Sequence, residues 1–535
     1  MARRFGRLAV LLALAGSGAS QPHLSKQEFA EFIHFLRDTA RSRAPLLHLR
    51  TVSPETMANF LSRFPFVTAN HRAFADRVLM VRATEIVDHP DFQHEPGKPA
   101  ATLPAATGKG SWAFPALVRR SFGLVGVDKE SQVLAYFKHW TDGLIINPGL
   151  SLAWRSVSPQ SAHTGSGDSR SLGSLPVRLL AVVNRLDLAG LGSGTRNDDR
   201  APPDCPDSMA CGAEFRFVYG SAPEWGTERY SLILEFVLPP LTKKDFKDLA
   251  AEWNGLIDPG STDGFRNGLE RVLGDCFARM SGVSQGGAPL IRIRINSGDG
   301  PWRFEEYHVT KKGLMKYPLA REPNPGTTGA PCIQGGPLEK FAADNESRVL
   351  LSTYDWPGAH CPAPGIATCL IQLTKPPAVA LTLAGASKKD ALRYALSINS
   401  CSGCHGPETR SVTTMKGSDF NFEQIRNRAS GAPSELSSFL TGDSQAFGEP
   451  TVEYGSQEIT GCGNQTVAAH GFNDLLRRHI FMLAAEALGD ALEMKEQARR
   501  LPELGQAAEA AMDEGEDELW REVLAGTGLT ALQAH

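Results

Sequence analysis

The chain has 535 residues, of which 41% are hydrophobic and 21% are charged, and this composition is ordinary for a soluble globular protein. Its 55 basic and 59 acidic residues give a formal net charge of −4, so it lacks the positive footprint expected of a nucleic-acid-binding protein. The 52 Gly and 35 Pro residues indicate many turns and argue against a purely helical bundle.

The N-terminus predicts a secretory signal peptide over residues 1–20. Three arginines near the start precede an apolar run over 8–16, and small residues fill 17–20. Charge, apolar run and small residues in this order are typical of an export signal, with cleavage after Ala19 or Ser20. The run is shorter than the roughly 20 residues that a membrane-spanning helix needs. We therefore expect an exported protein without a membrane span, in the periplasm or alternatively outside the cell or on its surface.

Composition and periodicity predict an α+β multidomain fold. Residues 21–155 have the pattern of a mainly helical region, and the Ser/Gly-rich stretch 156–175 that of a linker or long loop. Residues 176–380 mix short apolar runs with helical patterns, which predicts an α+β domain of unknown role. The segment 386–500 is predicted to be a mainly α domain that carries the cysteine motif described below. Residues 501–535 are predicted to form a helical acidic tail.

The clearest strands fall in the middle domain. In the segment 291–295 (IRIRI), a period of two places three isoleucines on one face. In 182–188 (VVNRLDL), Arg185 and Asp187 interrupt an apolar stretch, which we interpret as a strand end with an Arg–Asp pair. The strands are predicted at 177–188, 214–219, 230–237, 290–295 and 302–309, and two helices at 243–256 and 265–280.

The motif with the most specific chemistry is Cys401-Ser402-Gly403-Cys404-His405, whose pattern C-x-x-C-H is typical of c-type haem attachment. Two thiols must add across the two vinyl groups of one porphyrin, so they must lie close together. Because positions i, i+3 and i+4 share one face of a helix, a helical turn would present both sulfurs and the imidazole together. We predict one covalently attached haem c per chain, with its iron bound by His405 through Nε2 on the proximal side.

Two other uses of a C-x-x-C pair are less consistent with this sequence. A structural zinc site would need a second ligand pair, and no other C-x-x-C occurs in the chain. A redox dithiol would need a thioredoxin-like βαβ context, which the surrounding pattern does not indicate. Export agrees with haem attachment, since the thioether bonds of c-type cytochromes are made outside the cytoplasm.

The segment 386–500 resembles a class I cytochrome c domain: a helix leads into C-x-x-C-H, a turn-rich middle follows, and an amphipathic helix closes it. The resemblance covers about a fifth of the chain, and only the motif residues are specific. It implies thioether links at Cys401 and Cys404 and proximal ligation by His405. Such domains usually supply a distal Met several dozen residues downstream, yet there is no Met between Met415 and Met482.

Four residues are candidates for the distal iron ligand. We favour Met415, because it lies in a loop where the usual role of Met as core filler fits poorly. The alternatives are His470, just before the closing helix, and His479 and Met482 on that helix beside leucines. An iron with an open sixth position is a further alternative, and it would permit ligand binding or peroxide chemistry.

Seven cysteines lie outside the motif, an odd number, so at least one thiol stays free or pairs between chains. Disulfides are expected in an exported protein. The short loops Cys205–Cys211 and Cys361–Cys369 are the natural pairs. The remaining three are Cys276, Cys332 and Cys462.

The function that these features predict is one-electron transfer by an exported monohaem c-type cytochrome, alone or as part of an oxidoreductase. Its partner would be a redox protein or a small-molecule electron donor or acceptor, and neither nucleic acid nor a membrane span is expected. One alternative is an exported, disulfide-stabilised binding or surface protein with a structural Cys401–Cys404 pair. Another is a haem-based sensor or oxidase with an open sixth position.

Overall fold

The computed structural model describes a sheet, the helices around it and two segments from the C-terminal third. The described residues are 61–62, 65–93, 112–127, 129, 131–133, 135–136, 172, 177–191, 205–206, 209–221, 230–282, 289–297, 303–317, 341, 343–345, 424–442, 458–460, 466–468, 473–483 and 485.

Strands dominate the middle of the chain. They are β1 (Met80–Val81), β2 (Arg178–Arg185), β3 (Gly190–Leu191), β4 (Ala210–Cys211), β5 (Glu214–Gly220), β6 (Tyr230–Val237), β7 (Ile291–Ser297), β8 (Arg303–Thr310), β9 (Gly313–Tyr317), β10 (Glu458–Thr460) and β11 (Thr466–Ala468). Seven of them form one sheet in the order β1-β2-β5-β6-β7-β8-β9, and every neighbouring pair is antiparallel. Two further antiparallel pairs, β3 with β4 and β10 with β11, stand outside it.

Four of the described helices have ten or more residues. The helices are α1 (Pro65–Ala69), α2 (His71–Phe74), a π-helical turn (Ala75–Leu79), α3 (Thr84–Val87), α4 (Phe114–Leu124), α5 (Lys243–Asn254), α6 (Thr262–Ser281), α7 (Ser438–Thr441) and α8 (474–483), with 3-10 turns at Leu186–Leu188 and Gly255–Ile257. The two longest, α5 and α6, begin at hydroxyl caps, since Thr242 accepts from the Asp245 amide and Ser261 from the Gly264 amide.

The structure confirms the predicted elements of the middle region. The five predicted strands are β2, β5, β6, β7 and β8, and the two predicted helices are α5 and α6. The α+β character is therefore established for this part of the chain. The sequence patterns overlooked the short strand β1, which joins the sheet from the region predicted as mainly helical.

One face of the sheet is apolar and is covered by α6 and by the turn before α4. Phe277 of α6 lies at the centre of an aromatic cluster: its ring centroid is 5.3 Å from that of Phe215, 4.9 Å from that of Phe236 and 5.8 Å from that of Trp112. Because alternate residues of a strand share a face, Phe215 and Phe217 of β5 both contribute to this layer. The aromatic residues of this face belong to the hydrophobic core cluster.

The segment 424–442 lies against the other side of β2. Arg428 donates through Nε to the Leu179 carbonyl at 2.8 Å and through Nη2 to the carboxylate of Asp88 at 2.8 Å. The Ser434 hydroxyl donates to the Leu180 carbonyl at 3.1 Å. These buried bonds tie a segment 250 residues further along the chain to the second strand of the sheet.

The described residues of all three predicted regions share one hydrophobic cluster. It includes Phe74 from the first region, Phe215 from the sheet, and Leu440 and Phe481 from the last region. The separate cytochrome-like domain over 386–500 therefore stays a prediction without support from this part of the chain. The described residues there include the β10–β11 pair as well as helix α8.

No helix in the described ranges is both long enough and apolar enough to cross a membrane. The signal peptide and the acidic tail fall outside those ranges, so they stay predictions. Of the predicted 156–175 linker only Leu172 is described, and it is buried in the hydrophobic cluster.

Candidate functional site

The haem motif lies outside the described residues, and so do two of the candidate distal ligands, Met415 and His470. Cys401, Cys404 and His405 therefore stay predictions from sequence. The first described residue after the motif is Gln424, which is 5% exposed. The structure does describe the two remaining distal candidates, His479 and Met482. It also describes the segment 424–442, which follows the motif in the chain.

His479 and Met482, the other two distal candidates, are both buried on α8. The Nδ1 atom of His479 lies 3.3 Å from that of His71, and the His479 ring stacks on Phe74 with centroids 3.9 Å apart. The sulfur of Met482 accepts a hydrogen bond from Asn184 Nδ2 at 3.7 Å. His479 therefore packs against α2, and Met482 contacts the end of β2.

The His71–His479 contact is a hydrogen bond between two neutral imidazoles. Burial lowers the pKa of His71 to about 4, and burial together with the neighbouring His71 lowers the pKa of His479 well below its usual value. One Nδ1 must then carry the proton and donate, while the other accepts. Burial disfavours the charged form of both rings, and the neighbouring His71 adds to the effect on His479.

The face of the sheet opposite the aromatic layer carries a row of charged side chains. The register places Arg216 of β5 opposite Glu235 of β6, Glu235 opposite Arg292 of β7, and Arg292 opposite His308 of β8. In the next row, Arg294 lies opposite Glu306. Opposite charges on directly paired positions stabilise a sheet. We call this group the sheet-face cluster; its members are Glu214, Arg216, Glu235, Arg292, Arg294, Glu306 and His308.

Glu235 is the centre of the sheet-face cluster. It is fully buried, and its carboxylate oxygens lie 3.1 Å from Arg216 Nε, 3.1 Å from Arg292 Nε and 3.3 Å from Arg294 Nε. Glu214 extends the row, since it pairs with Arg216 and lies 2.6 Å from Arg292 Nη2. Each buried guanidinium therefore contacts at least one buried carboxylate.

The outer end of the row is anchored by Glu306. Its carboxylate lies 2.8 Å from Arg294 Nη2 and 2.9 Å from His308 Nε2. Burial alone would raise the pKa of Glu306, but the Arg294 charge and the His308 hydrogen bond hold it well below its usual value. The carboxylate of Glu306 is therefore ionised at neutral pH, and its negative charge balances the positive charge of Arg294.

A second group of charges lies where β2 ends and α8 begins. Asp187 accepts from Arg185 Nε at 3.0 Å, as the sequence pattern predicted, and from Arg477 Nη2 at 2.6 Å. Asp474 lies 2.9 Å from Arg477 Nε and 2.5 Å from Arg478 Nη2. We call these five residues the strand-end cluster.

A disulfide joins Cys205 and Cys211 across a loop of the middle region, as predicted. The second predicted pair, Cys361–Cys369, is outside the described residues. Cys276 is a free thiol on α6, and burial raises its pKa above its usual value. The protonated thiol therefore behaves as a small core side chain.

Sequence reasoning overlooked both charged clusters except for the Arg185–Asp187 pair. The pattern of β7 was interpreted through its isoleucines alone, although the intervening Arg292 and Arg294 are as buried as those isoleucines. A signal was available, because Glu214 and Arg216, like Glu306 and His308, alternate with apolar or aromatic residues. Only the register of the strands shows that these charged side chains lie next to one another.

Within the described part of the chain, no group of three or more His, Cys, Asp and Glu side chains is arranged to hold a metal ion. Comparisons of the whole chain with protein-family models, curated proteins and solved structures find no match.

Proposed function

We propose that the protein is an exported monohaem c-type cytochrome that transfers single electrons to and from a redox partner protein or a small molecule. The observation that carries the proposal is the sequence Cys401-Ser402-Gly403-Cys404-His405. Haem c would supply the one-electron redox couple. Cys401 and Cys404 would hold the porphyrin through thioether bonds, and His405 would bind its iron.

The donor set suits this group. Two thiols separated by two residues and followed by an imidazole match one porphyrin edge and one axial position. The proposal also agrees with the apolar N-terminal segment and with the Cys205–Cys211 disulfide, because disulfides persist in oxidising compartments outside the cytoplasm. The proposed location is the periplasm, with the extracellular space or the cell surface as alternatives.

Two of the proposed distal ligands make buried contacts in the structure. His479 hydrogen-bonds His71 through Nδ1 and stacks on Phe74, and the Met482 sulfur accepts from Asn184. An imidazole that hydrogen-bonds through Nδ1 can still bind iron through Nε2, and a thioether sulfur that accepts one hydrogen bond keeps a second lone pair. The proposal therefore keeps Met415 as the favoured distal ligand, with His470, His479, Met482 or an open sixth position as the alternatives.

The attachment is tested by producing the full chain with its signal in a host that has a cytochrome c maturation system. A pyridine haemochrome spectrum after acid–acetone extraction should report one covalent haem per chain. The double variant Cys401→Ala/Cys404→Ala should retain none, whereas Cys205→Ala/Cys211→Ala, which removes the same number of thiols, should retain all of it. A wild-type chain without covalent haem would refute the proposal.

A sensor or oxidase with an open sixth position is the alternative function. Carbon monoxide added to the reduced native protein separates the two functions. An electron-transfer protein with a protein side chain as distal ligand should keep its spectrum, and an open iron should shift it. If no haem is found, an exported binding or surface protein with a structural Cys401–Cys404 pair would be favoured.

A further inference from the structure

A small cavity lies over the charged face of the sheet, between the strands and the segment 424–442. Its volume is about 30 Å³. A water molecule needs roughly 10–15 Å³ of such space, so the cavity takes one or two waters or a single monatomic ion. Its polar lining residues are Ser231, Asn296, Gln424 and Arg478, and the rest of its wall is apolar. All of the lining residues are buried.

Arg478 is the only positively charged residue among those that line the cavity. It is 1% exposed, and it contacts Asp474 through Nη2. Its Nε and Nη1 atoms have no hydrogen-bond partner within the described residues. Leaving the buried N–H groups of a cation without a hydrogen-bond acceptor costs free energy. We therefore expect a bound ligand in this cavity to accept hydrogen bonds from Arg478.

The carboxylates of the strand-end cluster, to which Arg478 belongs, each contact more than one arginine. Within the described ranges, the two carboxylates of the strand-end cluster, Asp187 and Asp474, contact three guanidinium groups. Burial, followed by the charge of Arg185, lowers the pKa of Arg478 to about 10. That value is still well above neutral, so Arg478 keeps its positive charge inside the core.

We propose that the cavity is a binding site for a chloride ion. Arg478 supplies the charge, and the side chains of Ser231, Asn296 and Gln424 supply N–H and O–H donors. The small volume and the largely apolar wall favour a single monatomic anion over a sulfate, phosphate or carboxylate group. The strand-end cluster has three arginines and two aspartates, so a bound chloride would balance its remaining positive charge. The proposed chloride site does not depend on the proposed haem.

The test measures the melting temperature of the full-length protein at constant ionic strength while sodium chloride replaces sodium gluconate. Since a ligand that binds only the folded state stabilises it by mass action, the melting temperature should rise with chloride and then saturate. Bromide should act like chloride, and sulfate should act like gluconate. An equal response to all four anions would overturn the proposal.

Two variants separate the site from general salt effects. Arg478→Met should abolish the chloride response, whereas Arg426→Met, which removes an exposed arginine of the 424–442 segment, should preserve it. A response that survives in Arg478→Met would overturn the proposal.

If Arg478→Met does not fold, Ser231→Val fills the cavity without removing a charge and should also abolish the response. Crystals of the wild-type protein soaked in bromide supply an independent measurement. An anomalous peak within reach of Arg478 is the expected result, and a cavity without one would overturn the proposal.

Discussion

Neutralising Glu235 tests the energetic role of the sheet-face cluster. Glu235→Gln keeps the shape of the side chain but removes a carboxylate that contacts Arg216, Arg292 and Arg294 together. Taking one partner from a buried ion pair costs about 3–5 kcal/mol, because the remaining charge stays buried. For a folding unit of 150–250 residues, that loss lowers the melting temperature by roughly 6–20 °C.

The matched control for this variant is Glu435→Gln. Glu435 pairs with Arg426 at 2.9 Å, but the two side chains are 57% and 36% exposed. An exposed pair contributes about 0–1 kcal/mol, so this variant should unfold at nearly the wild-type denaturant concentration. Urea unfolding followed by circular dichroism, with both proteins in the same buffer, measures the difference. Equal losses in the two variants would refute the reasoning.

Three further predictions concern the rest of the described core. The pKa of His71 is about 4 in the folded protein and near 6.5 in the unfolded chain, so the unfolded chain binds more protons between these two pH values. The free energy of unfolding should therefore fall as the pH drops from 6.5 towards 4. His71→Gln should make the melting temperature depend less steeply on pH over this range. Cys205→Ser/Cys211→Ser opens a loop with a sequence separation of 6 residues, and loop entropy predicts a loss of about 2 kcal/mol in urea titrations; an unchanged midpoint would contradict a closed disulfide. Phe277→Ala removes the centre of the aromatic cluster and should cost about 3–5 kcal/mol by calorimetry; a loss under about 1 kcal/mol would contradict the packing described for α6.

The sequence was informative wherever burial follows from local periodicity. The isoleucines of β7 and the phenylalanines of β5 alternate with other residues, so their strands could be recognised without a partner. Helices α5 and α6 were recognisable from their apolar periodicity, although α6 begins at Thr262, three residues before the predicted start. These features depend on residues two to four positions apart, which is the range over which sequence patterns are reliable.

The charged clusters could not be predicted in the same way, because they depend on contacts between distant parts of the chain. Asp187 and Arg477 are 290 positions apart, yet their side chains form a 2.6 Å hydrogen bond. Arginine in a strand is ordinarily expected on a solvated face. Arg292 and Arg294 are buried beside the carboxylates of Glu214, Glu235 and Glu306, and no local pattern reveals these contacts.

The domain boundaries also depend on contacts between distant parts of the chain. The change in composition after 380 predicts an independent domain, which stays a prediction, and its described residues Leu440 and Phe481 share one hydrophobic cluster with the sheet residues. The haem motif was recognisable because its chemistry needs only five consecutive residues. Its distal ligand was not, because an iron ligand can come from any part of the chain that the fold brings near.

The central claim is covalent haem at Cys401 and Cys404. The most direct measurement is the intact mass of the exported full-length protein, followed by peptide mapping of the segment that contains both cysteines. The account predicts the polypeptide mass plus one haem, with the added mass on the peptide that carries Cys401 and Cys404. A mass that equals the polypeptide alone, from a host that matures other c-type cytochromes, would contradict it.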